Sequence, residues 1–109
     1  MIGGRMRTLK FIIAAQAITK DPDCDFTGIV AGTQCYLQAE FSVSQEWAGC
    51  RMAAVFSSLG KEYPRPVIEG KSEIPKEALT WDNFGVRVVG QRENYRITTN
   101  EIKIRQERK

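Results

Sequence analysis

Histidine is absent from this 109-residue sequence. Its absence removes the commonest general base, the usual Ser-His and Cys-His nucleophile pairs and the most frequent protein metal ligand. The three cysteines, Cys24, Cys35 and Cys50, form no Cys-x-x-Cys pair, so a zinc site would need carboxylates or outside ligands. Their odd number favours free thiols over a disulfide framework. We therefore expect no catalytic residues, no metal site and no cofactor.

Apolar runs long enough for a leader peptide or a membrane span are also missing. The best candidate follows Arg5, Arg7 and Lys10 and covers only residues 11–15. A leader peptide needs about 7–15 apolar residues, and a membrane helix needs about 18. We therefore predict a first β-strand over residues 8–15 and expect no insertion into a membrane.

Alternating aspartates superficially suggest a calcium-binding loop, but the pattern fails. Counting from Asp21, the sixth position is Phe26 and the twelfth is Gly32, where the motif requires glycine and glutamate. Aspartates are common in turns because their side chains hydrogen-bond to nearby backbone groups. We interpret Asp21, Asp23 and Asp25 as turn residues.

The bulk composition is that of one small globular domain, with 42% hydrophobic and 27% charged residues. We predict a single β-sandwich domain over residues 1–109, with a flexible N-terminal extension over residues 1–6 and a basic tail over residues 106–109. The net charge is only +3, and a solvated terminus explains the tail better than contact with phosphates. A nucleic-acid partner is therefore not expected.

Alternation of apolar and polar residues is the main structural signal. Over residues 33–43 every second residue is apolar, which indicates a half-buried antiparallel strand. Shorter patterns predict strands over residues 50–57, 67–70, 84–90, 95–97 and 102–105. Residues 44–49 and 60–66 are predicted as turn and loop, and residues 74–79 as one helical turn. About seven short strands favour an all-β sandwich or barrel, with a core that includes Leu37, Phe41, Phe56 and Val88.

Without a catalytic group, the candidate functional residues are those that could form a binding surface. Tyr36 lies on the polar face of the best strand, and Trp81 and Tyr95 lie near turns, where rings beside arginines could stack on sugars or bases. Trp47 stands in a turn between two strands. There it either closes the end of the core or anchors a partner.

The predicted N-terminal strand is a candidate for assembly. We expect it to be an edge strand, whose unpaired backbone groups can bind another chain. Ile12 and Ala14 would lie on its outer face, which is costly in a monomer and is explained if a neighbour covers them. The hypothesis is self-association, or docking to a partner, through this strand.

Several stretches resemble small immunoglobulin-like modules encoded among the structural genes of phages and prophages of Gram-positive bacteria. They are F-S-V-S-Q-E-W-A-G-C-R-M-A-A-V-F (residues 41–56), V-I-E-G-K-S-E-I-P-K-E-A-L (67–79), F-G-V-R-V-V-G (84–90) and R-I-T-T-N (96–100). The resemblance is one of order and spacing and covers roughly residues 33–104. It contributes no active-site residues.

The resemblance implies an immunoglobulin-like β-sandwich that serves as a structural part of a phage tail tip, fibre or baseplate. Such a protein would be made in the host bacterial cytoplasm and would reside in the virion, bound to other phage structural proteins and to copies of itself. Two alternatives stay open. One is a carbohydrate- or receptor-binding sandwich, and the other is a small barrel that binds single-stranded nucleic acid.

Overall fold

A computed structural model describes residues 6–33 and 36–107, and over these residues the chain forms nine β-strands and two short 3₁₀ turns. The 3₁₀ turns are Gln45–Trp47 and Lys76–Leu79. The strands are β1 (Arg7–Ala14), β2 (Ala17–Lys20), β3 (Leu37–Val43), β4 (Arg51–Ser58), β5 (Lys61–Val67), β6 (Lys71–Glu73), β7 (Asn83–Arg92), β8 (Tyr95–Thr98) and β9 (Ile102–Arg105).

The strands form two sheets. One has the order β2-β1-β3-β6, and the other has the order β5-β4-β7-β8, with β9 also paired to β7. Among the described strand pairs only β1 and β3 run parallel. The predicted all-β, mostly antiparallel class is confirmed. Nine described strands replace the seven or so that were expected, and there are two 3₁₀ turns instead of one helical turn.

One hydrophobic core lies between the sheets, and strand alternation supplies it. Leu9, Phe11 and Ile13 point inward from β1, and their counterparts on β3, β4 and β7 are buried with them. The four predicted core residues are all at most 5% exposed: Leu37, Phe41, Phe56 and Val88. Their predicted burial is confirmed.

The N-terminal strand is not at an edge. β1 lies between β2, its antiparallel hairpin partner, and β3, its parallel partner, so both of its sides are already hydrogen-bonded. The prediction that β1 could pair with another chain through a free edge is therefore wrong. The reason is the parallel pairing of β1 with β3, across a connection that contains β2, which alternation along the chain does not reveal.

Two other boundaries differ from the predictions. β3 begins at Leu37, whereas alternation suggested residue 33; positions 34 and 35 lie outside the described residues, and Val43 at its other end is 40% exposed. Residues 61–67 form β5, although residues 60–66 were predicted as a loop because of their prolines. Pro64 and Pro66 are tolerated because β5 is an edge strand.

Four hairpin connections contain only two residues, and each begins with a non-glycine residue at positive φ. Ala15, Leu59, Glu69 and Glu93 occupy these positions, with φ between 46° and 54°. Positive φ at the first turn position matches the right-handed twist of the strands, so these turns set the register of each hairpin.

The predicted basic tail begins inside the fold. Gln106 is 6% exposed, and Glu107 exchanges backbone hydrogen bonds with the segment around Val30. Met6 is exposed, and residues 1–5 and 108–109 lie outside the described part. Among the described residues, no helix is long and apolar enough to cross a membrane.

Candidate functional site

A groove of about 680 Å³ crosses the outward face of the five-stranded sheet, over β5, β4 and β7. Neighbouring strands lie about 4.8 Å apart, so three strands give the groove a floor roughly 10 Å wide. Ala54 and Phe56 point into the core, and alternation therefore directs Ala53 and Val55 outward. The groove lies on this outward side.

The groove has an apolar floor. Ala53 on β4 stands opposite Pro66 on one side and Val89 on the other, and Pro64 also lines the groove. The backbone groups of β4 are occupied by its two neighbouring strands, so the floor offers mainly small apolar side chains. A ligand here would gain van der Waals contact from the floor and would take its polar contacts from the rim.

The charged residues lining the groove are three arginines and one glutamate: Arg51, Arg65, Arg92 and Glu93. Arg51 is exposed and forms no ion pair within residues 6–33 and 36–107. The nearest approach of Arg65 to Glu77 is 3.9 Å, at the outer limit of an ion pair. The Arg92 guanidinium lies over a tyrosine ring, 4.5 Å from its centroid, which orients the group without neutralising it. Arg65 and Arg92 stand opposite Ala54 and Tyr95, which face the core, so of the three arginines Arg51 is the one that projects from the outward face. The outward side of the groove favours anions through Arg51.

The prolines of β5 also decide how a partner could bind. A proline nitrogen cannot donate a hydrogen bond, so prolines in sheets stand where the nitrogen faces away from the neighbouring strand. Pro64 and Pro66 thus remove donors from the free edge of β5 and oppose its pairing with another strand. A partner at the groove would lie across the face of the sheet, not extend it.

The structure buries Trp47, one of the six predicted surface residues. Its side chain is 2% exposed, and its Nε1 donates to the Ala15 carbonyl at 2.8 Å. Gly90 packs beneath the indole, where a Cβ would come within 2.8 Å of Cε3 and Cζ3. Trp47 therefore closes the end of the core, and its alternative role as an exposed anchor is wrong.

The other predicted aromatic residues have different environments. Tyr95 is half-buried: its hydroxyl donates to the Glu46 carbonyl at 2.9 Å, and the Arg92 guanidinium covers its ring. Tyr36, just before β3, is 49% exposed, and Trp81, after the second 3₁₀ turn, is 40% exposed. Tyr95 thus serves packing, whereas Tyr36 and Trp81 have the exposure that a partner contact requires.

Ile12 and Ala14 lie on the outer face of the four-stranded sheet, as predicted from their position in the alternation. Ile12 is half-buried between Thr19 of β2 and Ser42 of β3, and Ala14 is exposed opposite Ala17. These neighbours are small, so the apolar patch is limited in size. Its contact with a partner stays a prediction.

A second cleft, of about 570 Å³, lies between the segment after β2 and the end of β9. It combines the ring of Phe26 with the polar side chains of Lys20, Asp82 and Arg105. The Lys20 ammonium lies 5.3 Å from the centroid of the Phe26 ring. An aromatic face beside hydrogen-bonding groups is the kind of lining that sugars contact.

The aspartates after β2 have the predicted turn chemistry. Asp21 accepts the Asp23 backbone N–H at 2.9 Å, and Asp25 accepts both the hydroxyl and the backbone N–H of Thr27. The Thr27 hydroxyl, followed by its N–H, lowers the pKa of Asp25 below the ordinary 3.8. Within the described ranges, no three acidic, cysteine or histidine side chains come close enough to hold a metal ion.

Cys24 and Cys50 are free, partly buried thiols. The Cys24 sulfur lies against β1 and accepts the Lys10 backbone N–H at 3.3 Å. Cys35 lies outside the described residues, so the state of all three cysteines together stays a prediction.

Reasoning from sequence missed most of the groove. Pro64, Arg65 and Pro66 fall within the predicted loop over residues 60–66, and Arg92 falls between two predicted strands. The available signal was the alternation within residues 61–67, where Pro64 and Pro66 alternate with Tyr63, Arg65 and Val67. Prolines spaced in this way are compatible with an edge strand.

No protein-family model matches this sequence, and no curated protein matches it.

Proposed function

We propose that this chain is a non-catalytic structural component of a phage particle, at the tail tip, fibre or baseplate. The observation that carries the proposal is the structural role of the residues in the phage-like stretches. Trp47 closes the core over Gly90, and the Thr-Asn pair at residues 99–100 joins the two sheets. The residues of these stretches therefore stabilise the fold, as expected when the resemblance to other modules is one of fold.

The Thr-Asn corner is a defined structural device. Between the β7–β8 and β7–β9 ladders, the partner of β7 has one extra residue, a β-bulge. There the Thr99 hydroxyl accepts the Val88 N–H at 3.0 Å, which replaces the missing ladder bond. The Asn100 side chain accepts the Ile18 N–H at 3.0 Å and so connects this corner to β2 in the other sheet.

The strand order supports an immunoglobulin-like arrangement. If β3 to β7 are strands B, C, C′, E and F, and β8–β9 is strand G, then B pairs with E, and the other sheet reads C′-C-F-G. The parallel pairing of β1 with β3 and the additional β2 depart from two fully antiparallel sheets. The proposal therefore concerns the arrangement of β3 to β9.

A virion role fits what the surface offers. The groove presents arginines above an apolar floor, and exposed Tyr36 and Trp81 lie elsewhere on the chain. Virion proteins act at high copy number, where a modest contact repeated by symmetry is sufficient for assembly. Surface contact with neighbouring structural proteins is thus the activity that we propose.

Deletion of the gene from its phage or prophage tests the proposal. We expect particles with defective tails in electron micrographs, together with a loss of infectivity that a plasmid copy restores. A plasmid copy carrying Phe56→Ala, which empties a fully buried core position, should fail to restore either. Normal particle yield, tail morphology and infectivity without the gene would contradict the proposal.

Carbohydrate binding is a second candidate, and the cleft beside Phe26 favours it. A glycan array tests it, with Asp82→Asn as the variant because this side chain lines the cleft. Binding that Asp82→Asn abolishes would support a receptor-binding role. Absence of any glycan signal would remove this candidate.

A further inference from the structure

We propose that the groove over β5, β4 and β7 binds an extended, acidic segment of a protein partner. This proposal adds a partner chemistry to the assembly role above and rests on that role for the nature of the partner as another virion protein.

The rim selects for carboxylates. On the outward face the cations are Arg51 and, two strands away, Arg96, and the acidic lining residue is Glu93. Arg65 and Arg92 stand opposite residues that face the core, so they contribute to the rim only at its ends. A guanidinium presents its N–H groups as a planar fork that matches a carboxylate with two parallel hydrogen bonds. Arg51 stands beside Gln91 on β7, which in turn stands beside the exposed Arg96 on β8. This row of outward residues gives an anionic chain donors on three successive strands.

The floor selects for a chain that is extended and partly apolar. In an extended peptide, side chains on one face recur every two residues, roughly 6.8 Å apart. A segment with acidic residues at alternate positions can meet the arginines and leave small residues against Ala53 and Val89. The prolines of β5 block pairing along the edge, which directs the segment across the face.

Nucleic acid fits this groove less well. Single strands are held by aromatic rings that stack on bases as well as by cations. No described residue that lines the groove is aromatic, and the ring of Tyr95 nearby is covered by Arg92. The lining therefore offers charges and apolar contact but no stacking surface.

Fluorescence anisotropy with labelled peptides tests the inference. The probes are twelve-residue peptides of alternating glutamate and alanine, lysine and alanine, or glutamine and alanine, and an oligonucleotide of twelve thymidines. In 50 mM NaCl we expect the glutamate peptide alone to bind, with affinity reduced about tenfold or more in 300 mM NaCl because salt screens exposed charges. Tighter binding of the oligonucleotide, or equal binding of the glutamine peptide, would overturn the inference.

Matched arginine variants locate the site. Arg51→Glu should weaken binding of the glutamate peptide at least about fivefold, since it replaces attraction with repulsion. Arg105→Glu is the control. Arg105 stands opposite Asn83 at one end of β7, and Arg51 stands opposite Gln91 at the other end, so the two arginines are roughly 27 Å apart. Both are exposed, and each variant changes the charge equally. An equal loss in both variants would show attraction to overall charge and would overturn the inference.

Two further measurements complete the test. Amide chemical shifts of Ala53 and Val89 should change on addition of the glutamate peptide to the unaltered protein, and unchanged shifts there would place binding elsewhere. Sedimentation should give the same oligomeric state for the unaltered protein and for Arg51→Glu, because copies of the chain do not contact each other through the groove. A dimer that Arg51→Glu dissociates would assign the groove to a second copy and overturn the inference. If the protein is incorporated into particles but does not bind the glutamate peptide, this inference alone is wrong. If the protein binds the peptide but is absent from particles, the proposed function alone is wrong.

Discussion

Substitution of Gly90 by alanine probes the contact between Trp47 and β7. The added Cβ would lie 2.8 Å from two carbons of the indole, well inside the 3.5–4.0 Å or so that carbon atoms prefer. The indole ring is 2% exposed, and its Nε1 donates a hydrogen bond to the Ala15 carbonyl. Rotation of the ring into solvent would therefore lose both its burial and this hydrogen bond. Overpacking of this kind costs about 1–3 kcal/mol, and loss of the bond would add about 0.5–1.5 kcal/mol.

An opposing effect is smaller. Replacing glycine by alanine restricts the unfolded chain and stabilises the fold by about 0.4–1 kcal/mol where the backbone tolerates it. The net expectation is a loss of about 2 kcal/mol, which lowers Tm by roughly 8–16 °C in a domain of this size. Differential scanning calorimetry measures it.

Gly85→Ala provides the matched control on the same strand. Its Cβ would fall on the Glu101 carboxylate and the Ser57 hydroxyl, which are ends of side chains that can rotate away. We expect a Tm change of only about 3 °C or less. Combining Gly90→Ala with Trp47→Phe, whose smaller ring leaves room, should reduce the cost of the alanine by about 1 kcal/mol or more. Equal Tm values for Gly85→Ala and Gly90→Ala would refute the packing argument.

Four other predictions follow from local structure. Thr99→Val removes the acceptor of the buried Val88 N–H and should lower the free energy of unfolding by about 1–3 kcal/mol. An unchanged urea midpoint would show that this hydrogen bond does not stabilise the bulge. Leu59→Asn replaces a residue that is 68% exposed and has φ of 54°, and should raise stability by about 0.5–1 kcal/mol because asparagine suits this turn position; a lower midpoint would count against the turn assignment. The lowered pKa of Asp25 contributes stability that is present above pH 3.8 and is lost as pH falls through the folded-state pKa. NMR titration should therefore place the midpoint of Asp25 below 3.8. The Asp25→Asn variant should lack this part of the pH dependence of stability. Thiol titration in denaturant without reductant should find three reactive cysteines per chain, whereas one would demonstrate a disulfide.

Alternation predicted those parts of the fold in which one face of a strand meets the core. β3 and β7 were recognised because buried side chains such as Phe41 and Val88 recur every second residue. β5 was missed because proline usually interrupts a strand, and only its place at the edge of the sheet makes Pro64 and Pro66 acceptable. Position within a sheet is set by tertiary pairing, which one strand's sequence does not contain.

The same limit explains the candidate site. The groove joins residues from β4, β5 and β7, and Arg51, Gln91 and Arg96 form a row only when their strands are placed side by side. Aromatic residues were predicted as binding residues because they contribute large binding energies. In the structure, however, Trp47 is buried in the core, and the Tyr95 hydroxyl is hydrogen-bonded to the Glu46 carbonyl. For Trp47, closure of the core was one of the two predicted roles, and its burial confirms that role. The packing of Tyr95 was not predicted, because its partner Glu46 lies 49 residues away along the chain.

Quantitative mass spectrometry of gradient-purified phage particles tests the central claim most directly. If the chain is a structural component, its peptides should co-sediment with the infectious particles at a fixed ratio to the major tail protein. The copy number per particle should be a multiple of the tail symmetry, because repeated contacts in symmetric rings hold the protein in place. The ratio should persist through a second gradient in high salt. Absence of the chain from particles and from tail intermediates, while it accumulates in the same lysate, would contradict the account.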